Sequence, residues 1–476
     1  MFKLLLIAGL ASIALCQINL TSCTATDFAC IQNRTLADQA LLETPNYVSV
    51  PITNDPFYST PTNYSSNLQA GQILKVEVSS NDSAYDIPPG QHVSRIMYTS
   101  IDATGKVVPA TAAILWPFTP KPFNGSSTYP IVAWAHGTSG INRQCAVSNI
   151  RNLQYDFRSV FTLANTGYAV VIADYVGLGT DQPFNYLAYK LHANDVVFAV
   201  KASQSVFSQL SKGWVSFGHS EGGGVAWAIG ERQATSPIPG FLGTIAAAPP
   251  PFPIATTAPV GTSVFTALLS FTISRLYGLN LTEIFNPIPL QALQFVGSIG
   301  GCNDASYASL ATFTADQIYA NTSWPTSDAA KAFLRDYSVS GRSLGGPMLI
   351  IQGSNDTVVG TAGAQLGFNA TCSTQGNNVS VEYVSVIGQD HNPSMYASTR
   401  LWLQWIEDRF NGVPTTPGCQ VNELKSAFSN AQGYGVQLPE RFVVQYTKPW
   451  VTIFSSTFLP ASLQAAFLGF VDAPPS

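Results

Sequence analysis

The strongest constraint on this chain is a glycine–serine–glycine pattern where an apolar run meets a helix-compatible segment. Residues 214–217 suit a buried strand, and residues 221–232 can form a helix. Between them stands Gly218-His219-Ser220-Glu221-Gly222. A serine at such a tight strand-to-helix turn needs these glycines because a side chain there would clash with neighbouring backbone. The pattern predicts a nucleophilic Ser220 in a nucleophile elbow, and the alternative, a plain glycine-rich turn, explains the flanking segments less well.

Apolar runs and helical patches alternate along most of the chain. The predicted strands cover residues 93–98, 107–116, 129–135, 168–173, 214–217, 241–248, 347–353 and 379–386. The first two strands flank a turn at residues 103–105, which predicts an antiparallel hairpin. The predicted helices cover residues 152–164, 190–210, 221–232 and 393–410. This alternation is typical of parallel α/β proteins and predicts a mostly parallel central sheet with helices on both faces.

One long stretch, residues 252–346, interrupts the alternation and has the size and position of an inserted cap. Within it, residues 264–277 form a strongly apolar helical segment. The chain therefore divides into six predicted segments: a signal peptide (1–16), an N-terminal arm (17–86), a first core part (87–251), a helical cap (252–346), a second core part (347–418) and a C-terminal extension (419–476). We expect the arm and the extension to be irregular, with regular structure beginning near His92.

The first residues predict export. Lys3 precedes the apolar residues 4–15, and Ala14-Leu15-Cys16 is an acceptable cleavage site before Gln17. A membrane anchor is the alternative, but this apolar run is too short to span a bilayer. Cleavage removes one of the seven cysteines. The remaining even set suggests three disulfides in a secreted, extracellular protein, and six cysteines allow fifteen pairings.

Composition limits the surface and the partners. Charged residues make up 10% of the chain and hydrophobic residues 46%, so uncharged polar side chains or sugar must solvate the surface. The predicted N-glycosylation sites are Asn19, Asn33, Asn63, Asn81, Asn124, Asn280, Asn321, Asn369 and Asn378. Asn355 also fits the pattern, but its neighbour Asp356 is assigned below to the active site and we expect Asn355 to stay bare. A net charge of −5 without a basic run excludes nucleic acid as an expected partner.

The elbow needs a base and an acid, because a serine hydroxyl is a poor nucleophile until its proton is accepted. For a nucleophile elbow the chain order is serine, acid, histidine. Among the five histidines only His391 follows Ser220, and it lies in a loop between the last strand and the closing helix. Asp356 follows the strand after the cap and is the predicted acid, with Asp390, adjacent to the base, as the alternative.

A tetrahedral oxyanion needs backbone donors. The N–H of Glu221 is one predicted donor, and Thr138, in the loop after the strand at residues 129–135, is the second, with Gly137 as its rival. We interpret His136 as a hydrogen-bond donor that shapes this loop and Asp174 as a structural residue that ties loops together. No His/Cys/Asp cluster has metal-ligand spacing, so we expect no metal and no cofactor.

Several of these motifs together resemble the fungal secretory lipases of the lipase A type. The matching motifs are Gly218-His219-Ser220-Glu221-Gly222-Gly223, His136-Gly137-Thr138 before Cys145-Ala146-Val147-Ser148, Asp174-Tyr175-Val176-Gly177, and Ser354-Asn355-Asp356. The resemblance covers residues 70–420 approximately. It implies an α/β-hydrolase fold with a mainly helical cap and action on carboxylic esters, including triglycerides in some members. It also implies the pairs Cys145–Cys302 and Cys372–Cys419, which would leave Cys23–Cys30 for the arm.

These inferences predict a secreted serine ester hydrolase, a lipase or carboxylesterase, that works through an acyl-enzyme. Two alternatives use the same chain differently: a deacetylase of small secondary-metabolite esters, and a non-catalytic lipid-binding relative. An intact set of Ser220, Asp356 and His391 favours catalysis over binding alone. We expect a monomer without a transmembrane segment that takes a small-molecule or lipid ester substrate, and its activity allows transient contact with a lipid interface.

Overall fold

The computed structural model describes residues 28–65, 67–123, 125–153, 159–254, 261, 263–376 and 378–427. The predicted signal peptide, Asn19, Cys23, Asn124 and residues 428–476 lie outside the described residues, as do the side chains of Cys30 and Asn33. The predicted Cys23–Cys30 pair therefore stays a prediction.

One sheet organises the described part of the chain. Its ten strands are β1 (Ile73–Glu77), β2 (His92–Ile101), β3 (Val107–Trp116), β4 (Tyr129–Ala135), β5 (Ala169–Ala173), β6 (Leu210–His219), β7 (Phe241–Ala247), β8 (Met348–Gly353), β9 (Ser380–Val386) and β10 (Gly418–Leu424). Their order across the sheet is β1-β2-β3-β5-β4-β6-β7-β8-β9-β10. The pairs β1–β2, β2–β3 and β3–β5 are antiparallel, and every pair from β5–β4 onward is parallel. The predicted hairpin and the predicted mostly parallel sheet are confirmed.

Helices cover both faces of the sheet. The described α-helices are α1 (Phe28–Glu43), α2 (Ser159–Asn165), α3 (Tyr189–Val206), α4 (Glu221–Thr235), α5 (Val264–Tyr277), α6 (Leu281–Ile284), α7 (Pro287–Ser298), α8 (Asn303–Leu310), α9 (Ala315–Ile318), α10 (Asp328–Tyr337), α11 (Thr361–Gln375), α12 (Pro393–Ala397) and α13 (Thr399–Phe410). The single closing helix predicted for residues 393–410 is therefore two helices, separated at Ser398.

The core has two layers because successive side chains of a strand point to opposite faces. Ile131 and Ala133 of β4 join the cluster that contains Trp227 of α4, whereas Val132 and Trp134 join the cluster on the other face. All four of these β4 residues are buried, so β4 carries the continuous apolar run expected of a strand covered on both faces. The strands next to it, β5 and β6, hold the candidate site's loops against this rigid centre.

The segment between β7 and β8 is mainly helical and contains α5 to α10. Helix α5 spans Val264–Tyr277, the apolar segment predicted from the sequence. Seven of its side chains are buried, and Arg275 anchors its last turn through Asn185 Oδ1 at 3.1 Å. The cap is thereby fastened to the loop before α3.

The described parts of the N-terminal arm and the C-terminal extension contain regular elements that were not predicted. α1 and β1 lie within residues 17–86, and β10 covers the start of the extension, so the expectation of irregular structure is wrong for these elements. The two strands are the edges of the sheet and mostly keep half-buried or exposed side chains, which gives no apolar run to detect. α1 packs Leu36 against Val296 and Ala305 of the cap.

Two disulfides join described residues, Cys145–Cys302 and Cys372–Cys419. They are the pairs implied by the resemblance. The first connects the loop after β4 to the start of α8 in the cap, and the second connects α11 to β10. Within the described ranges, no helix is long and apolar enough to cross a membrane.

The sequon asparagines in the described part are all exposed: Asn63, Asn81, Asn280, Asn321, Asn369 and Asn378. Exposure is required for attachment of sugar, which stays a prediction at each of them. Asn355, expected to stay bare, is also exposed.

Candidate active site

Ser220 stands at the sharp turn between β6 and α4. Its backbone has φ 59° and ψ −124°, a left-handed conformation that non-glycine residues rarely adopt. Its N–H donates to Ala247 O at 3.0 Å, which anchors the turn to the neighbouring strand β7. Ser220 is half-buried, whereas His219 and Glu221 on either side are buried. The turn therefore presents the serine alone.

The two glycines of the elbow are required by close backbone contacts. A Cβ atom on Gly218 would overlap Gly222 O, and one on Gly222 would overlap Ala135 O. Neither oxygen can move easily, because one belongs to the first turn of α4 and the other to the end of β4. The spacing of the sequence pattern thus reflects three backbone segments in direct contact around Ser220.

Asp356 and His391 are hydrogen-bonded to each other. His391 Nδ1 lies 2.8 Å from Asp356 Oδ2. The other carboxylate oxygen, Oδ1, accepts from Val358 N at 3.0 Å and from Val359 N at 2.7 Å. The carboxylate is thus fixed by backbone donors, and it holds the imidazole by its Nδ1 side.

Gln352 is a further part of this arrangement that the sequence did not indicate. Its Nε2 donates to Asp356 Oδ2 at 2.9 Å and to Val359 O at 3.1 Å. The alternative acid, Asp390, has a different role. Its Oδ1 accepts from Thr357 N at 2.8 Å and from His391 N at 2.7 Å, so it ties the two loops together through backbone groups.

Within the described side chains, Ser220 Oγ makes no hydrogen bond to His391. The contact between the elbow and the His391 loop is made by His219, whose ring centre lies 4.4 Å from that of His391. Burial, and then the nearby imidazole of His391, lower the pKa of His219 well below its usual value. His219 is therefore a neutral ring packed against the candidate base.

Thr138 and Glu221 lie on the two segments that meet at the elbow. Thr138 follows β4 and is 4% exposed, and Glu221 is the first residue of α4. The first N–H groups of a helix have no partner one turn earlier, so the Glu221 N–H is available to a negatively charged oxygen. The contact of Gly222 with Ala135 O keeps the loop after β4 against the start of α4.

His136 shapes this loop. Its Nδ1 lies 2.6 Å from Gly137 O, and its ring stacks on Tyr175 with ring centres 4.2 Å apart. Tyr175 in turn donates its hydroxyl to His136 O at 2.7 Å. Burial lowers the pKa of His136 to about 3, so this ring stays neutral and cannot serve as a second base near neutral pH.

The carboxylate of Glu221 has partners that the sequence did not indicate. Thr138 Oγ1 donates to Glu221 Oε2 at 3.2 Å and lies 2.7 Å from Tyr186 Oη. On its other side, Glu221 Oε1 lies 3.4 Å from His192 Nδ1. Tyr186 and His192 are far from Glu221 in sequence and reach it only in the folded protein. Local sequence patterns therefore contain no signal for them.

Asp174 ties loops together, as interpreted from the sequence. It accepts from Ser148 N at 2.9 Å, from Ser148 Oγ and from Thr111 Oγ1 at 2.7 Å. Burial raises its pKa to about 6, against the opposing effect of these hydrogen bonds. Ser148 lies three residues after Cys145, so Asp174 also steadies the disulfide-bonded loop.

A metal site is not among the features of this part of the molecule. In the described ranges, no group of three or more His, Cys, Asp or Glu side chains has the arrangement of metal ligands. The site contains a half-buried serine hydroxyl, a carboxylate–imidazole pair and backbone N–H groups at a helix start. These are the parts used in nucleophilic acyl transfer.

Comparison with known proteins identifies the fold. No protein-family model matches the sequence, and no curated protein matches it. Lipase A from Candida antarctica, in its closed state, is similar with a TM-score of 0.61 and 15% identity, over 82% of this chain and 94% of that protein. The rice cell wall degrading esterase LipA from Xanthomonas oryzae is similar with a TM-score of 0.54 and 20% identity, over 72% of this chain and 98% of that one. The chain therefore has the expected α/β-hydrolase fold.

Proposed function

We propose that this protein is a secreted serine ester hydrolase, similar to lipase A, that cleaves carboxylic esters through Ser220, His391 and Asp356. The observation that carries the proposal is Ser220 in a left-handed turn, with no room for a side chain at Gly218 or Gly222. Such strain is costly and persists where the surrounding backbone enforces it, typically at functional sites. The two similar structures named above are of a lipase and an esterase, which supports esters as the substrate class.

In the proposed reaction Ser220 Oγ attacks the ester carbonyl carbon while its proton passes to His391 Nε2. The carbonyl oxygen becomes an oxyanion, which accepts hydrogen bonds from the backbone N–H groups of Thr138 and Glu221. Collapse of this intermediate breaks the bond to the alcohol oxygen, which receives the proton from His391. Water then attacks the acyl-enzyme by the same route, and the carboxylic acid leaves.

The orientation of His391 supports this role. Its Nδ1 is engaged by Asp356 at 2.8 Å, which leaves Nε2 as the nitrogen that can accept a proton. Catalytic hydrogen bonds are often long before substrate binds and shorten in the reacting complex. Closure of the remaining distance between Ser220 Oγ and His391 is thus expected on substrate binding.

Export and a lipid-related substrate are part of the proposal. Two disulfides and the exposed sequons suit an oxidising, extracellular environment. A chain-length profile tests the substrate class: we expect hydrolysis of soluble p-nitrophenyl esters from acetate upward and of a triglyceride emulsion. Activity confined to acetate esters would instead favour the small-ester deacetylase.

Ser220 itself is tested by labelling and substitution. An alkyl phosphonate should attach to one residue, and peptide mapping should identify it as Ser220. Ser220→Ala should remove nearly all ester hydrolysis and leave the small rate supplied by binding and the oxyanion hole. Ser236→Ala, at the exposed far end of the same helix, is the control and should keep full activity. Label on another residue would contradict the assignment, and so would full activity of Ser220→Ala.

A further inference from the structure

The residue after the candidate nucleophile carries a buried carboxylate. Glu221 is 2% exposed although glutamate is almost never fully buried without partners. Its Oε2 accepts from Thr138 Oγ1 at 3.2 Å, and its Oε1 accepts from Leu187 N at 3.4 Å. If Glu221 contributed only its backbone N–H to the site, its side chain would not need these buried partners.

The hydrogen bonds around Thr138 have a defined direction. The Thr138 hydroxyl donates its single proton to Glu221 Oε2. The Tyr186 hydroxyl, 2.7 Å from Thr138 Oγ1, must then be the donor to Thr138. The Thr138 hydroxyl consequently has no proton left for a substrate, and only the backbone N–H of this residue can bind an oxyanion.

The same carboxylate also holds the loop before α3. Leu187 has φ 60°, a conformation that is strained for a leucine, and its N–H points to Glu221 Oε1. Next to it, Tyr189 packs so closely on α4 that a Cβ atom on Gly224 would lie 2.6 Å from the Tyr189 ring. Glu221 thus joins the loop after β4, the loop before α3 and the start of α4 at one point.

His192 lies beside the Glu221 carboxylate. A lone buried anion beside an oxyanion hole would oppose the negative charge that develops on the substrate. His192 Nδ1 lies 3.4 Å from Glu221 Oε1, and both side chains are 2% exposed or less. An imidazole thus lies against the buried carboxylate at ion-pair distance, without a hydrogen bond between the two side chains.

We propose that Glu221 is a positioning residue of the oxyanion hole: through Thr138 Oγ1 its carboxylate fixes the spacing between the Thr138 and Glu221 backbone N–H groups. This inference rests on the proposed function. It assigns a role to the Glu221 side chain, and to Tyr186 and His192 behind it, that is separate from the backbone donor of Glu221. Removal of the carboxylate should therefore weaken stabilisation of the transition state and leave binding of the ester unchanged.

Kinetics of single variants form the first test. Glu221→Gln keeps the shape but provides one acceptor oxygen for two donors, and Thr138→Val removes the hydroxyl. We expect each to lower kcat at least tenfold on p-nitrophenyl butyrate, with KM within twofold of wild type, because loss of a whole oxyanion donor costs about 10² to 10³. Thr138→Ser restores the hydroxyl and should recover a large part of the loss seen in Thr138→Val.

Coupling and a tetrahedral adduct give the second test. If the two side chains act as one unit, the double variant of Glu221→Gln with Thr138→Val should be little worse than either single variant. An alkyl trifluoromethyl ketone adds Ser220 Oγ to its carbonyl carbon, which creates an oxyanion while the serine proton passes to His391. Its inhibition constant should rise by the same factor by which kcat falls.

Glu231→Gln is the matched control. Glu231 lies on the same helix, is also buried, and accepts from Ser340 N and Arg342 Nη1 away from the elbow. It should lower thermal stability and leave kcat and ketone inhibition unchanged. Should Glu221→Gln fail to fold, Tyr186→Phe probes the same chain of hydrogen bonds, and a smaller loss of kcat at constant KM is expected.

Three outcomes would overturn the inference: unchanged kcat and ketone inhibition in Glu221→Gln, a rise in KM alone, or fully additive losses in the double variant. Failure of the proposed function is recognised separately. It would appear as full activity in Ser220→Ala, or as phosphonate label on another residue.

Discussion

At the elbow, three backbone segments lie so close together that Gly218 and Gly222 have no space for a Cβ atom. Gly222→Ala is the sharpest probe, because its Cβ atom would overlap Ala135 O and lie 2.7 Å from His136 O. The loop after β4, which carries Thr138, would have to move away from α4, which begins at Glu221, so the two candidate oxyanion donors would separate. We expect a loss of roughly 3 kcal/mol in the free energy of unfolding and nearly complete loss of esterase activity, measured by denaturation and initial rates.

Gly363→Ala is the matched control for that substitution. Gly363 lies in α11, and no atom stands within 4 Å of a Cβ atom placed there. Alanine costs less backbone entropy in a helix, so this variant should gain about 0.5–1 kcal/mol and keep its activity. Equal effects of the two substitutions would show that the elbow is not sterically required.

In acid, the loss of esterase activity should depend on the uptake of one proton, by His391. The base must be neutral to accept the serine proton, so its protonation in acid should abolish activity. Burial keeps the pKa of His136 at about 3 and that of His219 well below the usual value, so neither takes up a proton in the mildly acidic range. We expect kcat/KM to fall with a slope of one in log units below neutrality, without any effect of a chelator. A slope of two, or rescue by metal after chelation, would contradict this.

The candidate triad could be named from chain order, whereas its supporting residues could not. Only one histidine follows Ser220, and Asp356 comes directly after the strand that follows the cap, whereas Asp390 beside the base remained the alternative acid. Gln352, Tyr186 and His192 act through contacts between elements far apart in sequence. Such contacts depend on the packing of the whole sheet, and no local spacing or periodicity encodes them.

Among the connecting elements, the Cys145–Cys302 disulfide joins the loop after β4 to the cap across 157 residues. In the chain-entropy model a link of this length contributes up to about 5 kcal/mol. Replacement of both cysteines by serine should therefore lower Tm and also lower activity, because Gly140 and Cys145 pack directly against each other beside the Thr138 loop. Thermal unfolding and initial rates measure the two effects.

The second disulfide is the control for the first. Cys372–Cys419 spans 47 residues and joins α11 to the edge strand β10. The shorter loop predicts a stabilisation about 1 kcal/mol smaller, and its removal should leave kcat intact. Equal loss of activity on removal of either disulfide would indicate general destabilisation in place of a specific effect on the site.

Helix α5 is the expected source of acyl specificity, through one of its partly buried aromatic residues. Phe265 packs edge-on against Tyr307, with ring centres 5.3 Å apart. Burial, the Glu221 carboxylate and, more weakly, Tyr307 raise the pKa of Tyr186, the residue that contacts Thr138. Phe265→Trp should therefore shorten the preferred acyl chain without reducing acetate hydrolysis, since each methylene buried in a pocket contributes about 0.8 kcal/mol.

Substitutions of other apolar residues of α5 distinguish a helix that lines an acyl pocket from a helix that belongs to the packed core. Phe271 faces Phe285 inside the cap at 6.2 Å, so Phe271→Trp should keep the wild-type profile. Leu268 and Leu269 are 2% and 0% exposed, and tryptophan at either position should lower Tm by overpacking. If Phe265→Trp also unfolds or keeps the wild-type profile, α5 is core and the acyl chain binds elsewhere.

Central elements were predictable from the sequence, and edge elements were not. β4 and α5 match their predicted bounds because buried elements have long apolar runs. β1 and β10 are edge strands with many half-buried or exposed positions, and the residues of α11 are largely small or polar. Their structure is set by contacts with the rest of the sheet and not by their own composition.

On the scale of the whole molecule, the N-terminal segment, the cap and the core meet at Cys302. Glu43, the last residue of α1, accepts from Cys302 N at 2.7 Å and from Ala305 N at 2.9 Å. Cys302 is in turn bonded to Cys145 in the loop after β4. Helix α1, which was predicted to be part of an irregular arm, therefore holds the cap through these hydrogen bonds.

Two kinds of buried titratable group make the stability of the molecule depend on pH with opposite signs. Burial raises the pKa of Glu43 to about 7 and those of Asp174 and Asp195 to about 6. A raised carboxyl pKa adds stability that is complete below the unfolded value and is lost as pH rises through the folded value. His136 and His219, whose pKa values are lowered by burial, act in reverse and lose stability as pH falls below about 6.5. The two trends overlap, so wild-type stability should change little between about pH 5 and 7.

A substitution at Glu43 separates these trends. Glu43→Gln removes the titrating group and leaves one amide oxygen for two buried backbone donors, which costs about 1–3 kcal/mol at pH 5, where wild-type Glu43 is protonated. Above pH 7 the wild-type protein must bury a charged carboxylate, whereas glutamine stays neutral. The destabilisation measured by urea unfolding should therefore be larger at pH 5 than at pH 8, because the extra stability of the wild type declines between the unfolded pKa of 4.5 and the folded pKa of about 7. Asp38→Asn, an exposed position on the same helix, controls for loss of a charge. A destabilisation equal at both pH values would mean that Glu43 keeps one protonation state throughout and that its contact with Cys302 and Ala305 does not depend on pH.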